Sequence, residues 1–251
     1  MMGDMRFSRS AYRPAQTIPN IKVTTDKGGI TTLYEMAKDK PLLLVTGSIT
    51  CPMTISSLPL LNGLQANWGD RINMVLVYVR EAHPGDHYPQ PHDIDKKRRH
   101  AQDLKEKYVL DFPVLVDELN GPLHKILDVK PNSVHLIDAE GNILLQSLWA
   151  GDAKTIQNAV EHIANHSPIK HKLSEVMFLP FIRGAGFMHD TLTLAGKRSY
   201  QELLYGAPPI WMLSRLAALF TFMPRQKRGG MAAVLLISVF SLAIYGFQGL
   251  F

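Results

Sequence analysis

Pro41-Leu42-Leu43-Leu44-Val45-Thr46-Gly47-Ser48-Ile49-Thr50-Cys51-Pro52-Met53-Thr54 holds the single cysteine of a 251-residue chain, and its reading decides the fold. Leu42 to Val45 form an apolar run of strand length that breaks at Thr46-Gly47-Ser48 and delivers Cys51. Pro52 follows, a residue favoured at the first position of a helix. The stretch predicts a strand, a short turn, a thiol and a helix. A cysteine at a helix start faces unpaired N–H groups and the positive end of the helix dipole, which favour the thiolate. A thiol pKa of about 8.5 is expected to fall there. The hydroxyls of Ser48, Thr50 and Thr54 are near enough in sequence to donate to the sulfur.

Outward from Cys51 the pattern alternates between strands and helices. Upstream, Ile21 to Thr25 alternate and Asp26-Lys27-Gly28-Gly29 turn, which predicts an opening hairpin. Downstream, Ile55, Leu58, Leu61 and Leu64 have helical spacing, with Pro59 and Gly63 expected to kink or end the helix early. Residues 72–79 are nearly all apolar, as in a strand covered on both faces, and run into Arg80-Glu81-Ala82-His83-Pro84-Gly85-Asp86. Residues 95–108 predict a helix with Ala101, Leu104 and Tyr108 on one face, and 112–117 a third strand. A short helix at 122–127 precedes two strands joined by Glu140-Gly141-Asn142, and 153–166 form an amphipathic helix. The order β-α-β-α-β-α-β-β-α specifies an α/β domain with a mixed sheet over residues 20–166.

The flanking segments differ in character. Residues 1–19 read as a flexible leader. Residues 167–230 are cut by Pro180, Gly184, Gly186, Gly196, Gly206, Pro208 and Pro209 into short pieces. Within them, 210–223 are too short to span a bilayer and are expected to lie at its interface or to pack on the domain. Residues 231–251 carry no charge and, at about 1.5 Å per residue, match a hydrocarbon core as a transmembrane helix. Arg225, Lys227 and Arg228 precede it, so a single-pass C-terminal anchor with the catalytic domain in the cytoplasm is expected.

The net charge of +5 is clustered at 96–99 and 225–228. No aromatic or glycine-rich nucleic-acid pattern accompanies either cluster, so nucleic acid is not an expected partner. One cysteine excludes an internal disulfide, and no charged-then-apolar segment with a cleavage site is read at the start, so the domain is expected to stay in a reducing compartment. His83, His87, His92 and His100 with Asp86, Asp93 and Asp95 are irregularly spaced, and no metal site is expected from them.

Three segments together resemble the iodothyronine deiodinases, a family with a thioredoxin-like fold. The family motif Gly-Ser-Cys-Thr-selenocysteine-Pro resembles Gly47-Ser48-Ile49-Thr50-Cys51-Pro52. Its Tyr-Ile-Glu-Glu-Ala-His segment resembles Tyr78-Val79-Arg80-Glu81-Ala82-His83, and its Pro-Val-Val-Val-Asp strand resembles Pro113-Val114-Leu115-Val116-Asp117. The resemblance covers about residues 40–165. It implies Cys51 as nucleophile in the selenocysteine position, with Glu81 and His83 as the polar pair that delivers protons and orients substrate. Ser48, Thr50 and Tyr78 support them, His100 is a candidate substrate contact, and Pro131 is a candidate cis proline facing the sulfur. Glu81 is placed to hold the His83 imidazole protonated. Ile49 stands where the family has an auxiliary cysteine, so an external thiol reductant and no bound cofactor are expected.

The expected partners are a small-molecule substrate, the thiol reductant and the membrane, with homodimerisation left open. The expected activity is a thiol-dependent oxidoreductase whose Cys51 thiolate attacks a soft electrophile such as an aryl iodide. A single-cysteine thiol peroxidase and a non-enzymatic module displayed at the membrane are the alternatives.

Overall fold

A computed structural model describes Phe7, residues 11–128, Lys130 and residues 132–248, with the side chains of 240 and 242–248 outside the description. Its centre is β3 (Leu42–Gly47), all six residues of which are buried. Parallel β4 (Asn73–Tyr78) lies on one side and antiparallel β6 (Val134–Ile137) on the other. The sheet of described residues continues outward through β5 (Val114–Val116), β1 (Lys22–Thr25) and β2 (Ile30–Thr32) at one edge. At the other edge lie β7 (Ile143–Ser147) and β8 (Lys172–Ser174), a strand not expected from the sequence.

Because side chains alternate across a strand, β3 to β5 feed two cores. Leu43, Val45, Met74, Leu76 and Tyr78 face α2 (Pro52–Trp68), α3 (Ile94–Lys107) and α5 (Ala153–Ala164). Leu42, Leu44, Val75, Val77 and Val79 face α1 (Leu33–Ala37) and α4 (Pro122–Leu127). Helix starts are fixed locally. Thr32 and Glu35 form a reciprocal capping box on α1, Asp93 caps α3 through the Lys96 N–H at 2.6 Å, and Pro52 occupies the first turn of α2.

Three expectations about order need correction. The helix after Cys51 neither kinks to an end at Pro59 nor stops at Gly63, but runs on to Trp68. Pro59 sits on its exposed face, where its ring meets solvent and not the core. The leader is docked where it is described: Phe7, Ala11 and Ile18 are buried, and Thr17 bridges to Asn142. Residues 167–230 are not short pieces but carry β8 and three helices, α6 (Phe178–Ala195), α7 (Lys197–Gly206) and α8 (Pro208–Leu219). Gly196 and Gly206 do mark helix ends, whereas Gly184 and Gly186 lie inside α6.

The expected membrane span begins within α9 (Arg225–Gln248), and its last residues, 249–251, fall outside the description. Among the described residues no helix is long and apolar enough to cross a membrane. The first turns of α9 carry Arg225, Lys227 and Arg228 and approach α6 through the Arg225 backbone and Gly229. A methyl group at Gly186 would come within 2.0 Å of the Arg225 carbonyl oxygen, and one at Gly229 within 1.9 Å of the Ile182 carbonyl oxygen. Two glycines facing each other therefore set the closeness of this crossing.

Overpacking a tight contact costs about 1–3 kcal/mol. Gly186→Ala and Gly229→Ala are each expected to destabilise the C-terminal helices by that order in denaturant unfolding, while Gly206→Ala, which has open space around it, leaves the midpoint almost unchanged.

Candidate active site

Cys51 is the N-cap of α2, in an extended conformation with φ −98° and ψ 110°, at the carboxyl end of β3. The turn that carries it is held from inside. Thr54, one turn into α2, folds back under Gly47, where a methyl group would meet its side chain at 2.7 Å. Its hydroxyl accepts from the Ser48 N–H at 3.4 Å and from the Asn132 amide at 3.4 Å. Asn132 also donates to the Thr46 carbonyl and accepts from the Ala150 N–H, and so ties the turn to the chain beyond α4.

The sulfur is 1% exposed. Burial pushes its pKa up, and the negative charge of Glu81 adds to that, while hydrogen bonding from the Thr54 hydroxyl and from the Thr54 and Met53 N–H groups pulls it down. The expected fall is therefore reversed. The helix start does favour the thiolate, but desolvation outweighs it.

Beside the sulfur lies a buried network centred on Glu81. One carboxylate oxygen accepts from the Thr50 hydroxyl at 2.6 Å; the other accepts from the Tyr78 hydroxyl at 2.5 Å and from His100 Nδ1 at 2.8 Å. Glu81, Tyr78 and Thr50 are almost wholly inaccessible, and His100 is 5% exposed. Burial and the adjacent carboxylate raise the Tyr78 pKa well above the usual phenol, which keeps this hydroxyl a donor. The Ile49 N–H donates to the Tyr78 oxygen at 3.3 Å. Ser48 Oγ lies 3.5 Å from Thr50 Oγ1 and accepts from the Ala82 N–H.

The structure thus brings together Cys51, Ser48, Thr50, Tyr78, Glu81 and His100. It separates the expected pair of Glu81 and His83. The partner of Glu81 is His100, presented by α3, whereas His83 donates only its backbone N–H to Thr50 Oγ1 at 3.3 Å. Burial lowers the His83 pKa, and the nearest opposing influence is Glu202 on α7. The physical reason is the pleat and turn after β4, which send the Glu81 side chain inward toward Tyr78 and leave His83 toward the C-terminal helices. Pro131 lies outside the described residues.

Sequence reasoning missed Tyr88 and Gln90. The Tyr88 ring meets His100 edge-on at 5.0 Å, and Gln90 Oε1 accepts from the Glu81 N–H at 2.9 Å. Both sit in an irregular polar loop where no periodicity marks them. Among the described residues no group of three or more His, Cys, Asp or Glu gathers to hold a metal.

The C-terminal helices close the site. Gly184 of α6 lies against the Met53 sulfur, two residues from Cys51. The α6–α7 junction docks on the loop after β4: His87 N–H donates to the Ala195 carbonyl at 2.9 Å and Arg198 N–H to Asp86 Oδ2 at 3.0 Å. Gly196, at φ +118°, makes this close approach without a side chain in the way.

Comparison with solved structures gives the same architecture. An uncharacterised conserved protein from Geobacillus kaustophilus superposes with a TM-score of 0.55 at 14% identity, covering 67% of this chain and 90% of that one. The C-terminal domain of a protein from Bacteroides thetaiotaomicron, named as a thiol-disulfide oxidoreductase, superposes with a TM-score of 0.50 at 18% identity, covering 64% and 100%. These likenesses show a thioredoxin-like fold. A type II iodothyronine deiodinase from Fundulus heteroclitus is 37% identical over 73 residues, 28% of this chain and 27% of that protein, so the match spans about a quarter of that relative. A family model for iodothyronine deiodinase matches residues 6–146, which include Cys51, the whole Glu81 network and the strands that position them. On that match the chain belongs to the iodothyronine deiodinase family.

Proposed function

We propose that the protein is a thiol-dependent oxidoreductase that removes iodine, or a comparably soft leaving atom, from an aromatic carbon. The observation that carries this reading is the unbroken run of exchangeable protons from His100 and Tyr78 through Glu81 to the hydroxyl of Thr50, the residue before Cys51. Reductive dehalogenation needs both a sulfur that takes the halogen and a proton for the carbon left behind.

The Cys51 thiolate attacks iodine, the carbon–iodine bond breaks with its electron pair on carbon, and that carbon takes a proton supplied by the network. Cys51 then carries a sulfenyl iodide. Two equivalents of an external thiol reduce it, releasing iodide, a proton and the external disulfide and restoring the Cys51 thiol. With Ile49 and Thr54 where neighbouring cysteines would stand, the resolving sulfur comes from outside. Tyr78 and His100 hold Glu81 in place as positioning residues, and Thr50 is the group placed to pass the proton on.

Incubating the full chain with an iodinated phenol and a dithiol is expected to release iodide. Cys51→Ala abolishes release, and Glu81→Gln lowers kcat by about 10²–10⁴-fold, the usual worth of a positioned acid–base group. A folded protein that releases no iodide but reduces peroxide through Cys51 would replace this reading with a thiol peroxidase.

Because burial raises the Cys51 pKa, the thiolate fraction is small at neutral pH and grows as pH rises. The rate of Cys51 alkylation by iodoacetamide is expected to keep climbing with pH beyond about 8.5, the usual free-thiol range. Thr54→Val, which removes a bond to the sulfur, moves the inflection higher. A plateau below the usual range would contradict the assignment.

We further propose that the C-terminal helices seat on a membrane surface. Leu219 and Phe222 at the end of α8, and Val234, Ile237 and Val239 along α9, are exposed, with Arg225 and Lys227 beside them. The full chain is expected to co-sediment with vesicles of phosphatidylcholine and phosphatidylserine, and Phe222→Asp with Ile237→Asp to shift it to the supernatant.

A further inference from the structure

Lys97, on the first turn of α3, is a buried charge that the Cys51 chemistry does not employ. It is 4% exposed, and its ammonium donates to the Asp117 carbonyl at 2.8 Å and the Glu118 carbonyl at 3.0 Å. An ammonium has three hydrogens, so one remains. The nearest carboxylate is spent elsewhere: Asp117 Oδ1 accepts from the Glu118 and Leu123 N–H groups and Oδ2 from the His124 N–H, which caps α4. Among the described residues Lys97 forms no ion pair. A buried cation without a direct counter-charge is costly, and structures resolve that cost with a partner.

The space for a partner is present. A cavity of about 120 Å³ opens at the carboxyl ends of β4 and β5, with Lys97, Arg80, His124 and Lys125 in its wall beside Asp117 and Leu119. At about 30 Å³ per water it holds roughly four waters or one tetrahedral oxyanion. Lys97, Arg80 and Lys125 line it beside the Asp117 carboxylate, which is engaged with backbone N–H groups.

We propose that this cavity binds an oxyanion, the phosphate or carboxylate group of a ligand, with Lys97 at its floor and Arg80 and Lys125 at its rim. The α4 N–H groups are taken by Asp117, so side chains do the holding. Arginine contributes the planar fork that matches such groups and lysine a point charge. Burial lowers the Lys97 pKa to about 8, and a bound anion would restore the ammonium. Glu81 lies near enough for its charge to act on Lys97, and Lys97 and His100 are three residues apart on one face of α3. An occupant would therefore be felt at the Glu81 network. The proposal does not depend on the dehalogenation reading, since binding is measured without turnover.

The test titrates the full chain with inorganic phosphate and, separately, acetate at constant ionic strength in chloride, by calorimetry. Saturable binding of one equivalent of either is expected, weakened at least tenfold by Lys97→Met and severalfold by Arg80→Gln and by Lys125→Gln. Phosphate alone, acetate alone, or both binding identifies the group recognised. Lys125 is exposed, so its variant keeps the result decisive if Lys97→Met fails to fold. In parallel, phosphate should protect Lys97 from reductive methylation read by mass spectrometry. No saturable binding by the unmodified chain, or binding that Arg80→Gln and Lys125→Gln leave unchanged, overturns the proposal.

Discussion

A carboxylate fully withdrawn from water is the constraint that the rest of this structure serves. Glu81 follows β4 at the point where the strand leaves the sheet, and its side chain turns inward and not to solvent. Burying a carboxylate costs several kcal/mol unless each oxygen is met by donors. Three elements supply them: Thr50 from the turn before α2, Tyr78 from the last residue of β4, and His100 from the second turn of α3. Moving any of these elements by a residue would remove one of its three donors. The register of β3 against β4, with Gly47 opposite Tyr78, and the Asp93 cap that starts α3 where it does are conditions for that carboxylate.

The same requirement explains why the thiol is buried. Thr50 reaches Glu81 only if the turn before α2 is folded down onto the sheet, and Cys51 goes with it. Gly47 makes that turn close enough for Thr54 to lie beneath it, and Asn132 locks it from the far side. Above, α6 lies against Met53, and the α6–α7 junction is bonded to the loop that follows Glu81. Desolvation then outweighs the helix start at the sulfur. Burial at this position favours the neutral thiol, and Glu81 beside it adds to that preference.

What could be read from the sequence is local. The apolar run at 42–45, the break at Gly47 and the Cys51-Pro52 helix start each depend on neighbours within one turn, and the structure has them at those positions. Residues 72–79 and 112–117 reveal central strands by composition alone. The helical reading of 95–108 placed His100 on a helix, but whether its ring meets Glu81 depends on the rotation of α3 and the distance of its axis from β4, and sequence spacing carries neither. The proximity of Glu81 and His83 in sequence suggested a pair that the turn divides. Glycines were the other source of error. Gly184 and Gly186 read as breaks because a helical glycine is intrinsically unfavourable, and only the helix against which each one packs shows why it is there.

The C-terminal helices connect these points. Two glycines let α9 approach α6 to backbone contact, which fixes α6; α6 ends at Ala195 and Gly196, where its carbonyl and its turn engage His87 and Asp86. That loop begins at Glu81. α9, whose residues Val234, Ile237 and Val239 are exposed, is thus connected through one helix to the loop that follows Glu81. A cysteine at 1% exposure can meet a substrate only when some covering residue moves. On the α6 side, Phe187 is buried in the same core as Ile55 and Leu58 of the cysteine's helix, Gly184 lies against Met53, and the Ala195 carbonyl and the Asp86 carboxylate tie the α6–α7 junction to the loop after β4. Opening by way of the C-terminal helices leaves the Glu81 network intact, whereas opening from the sheet side would first break it.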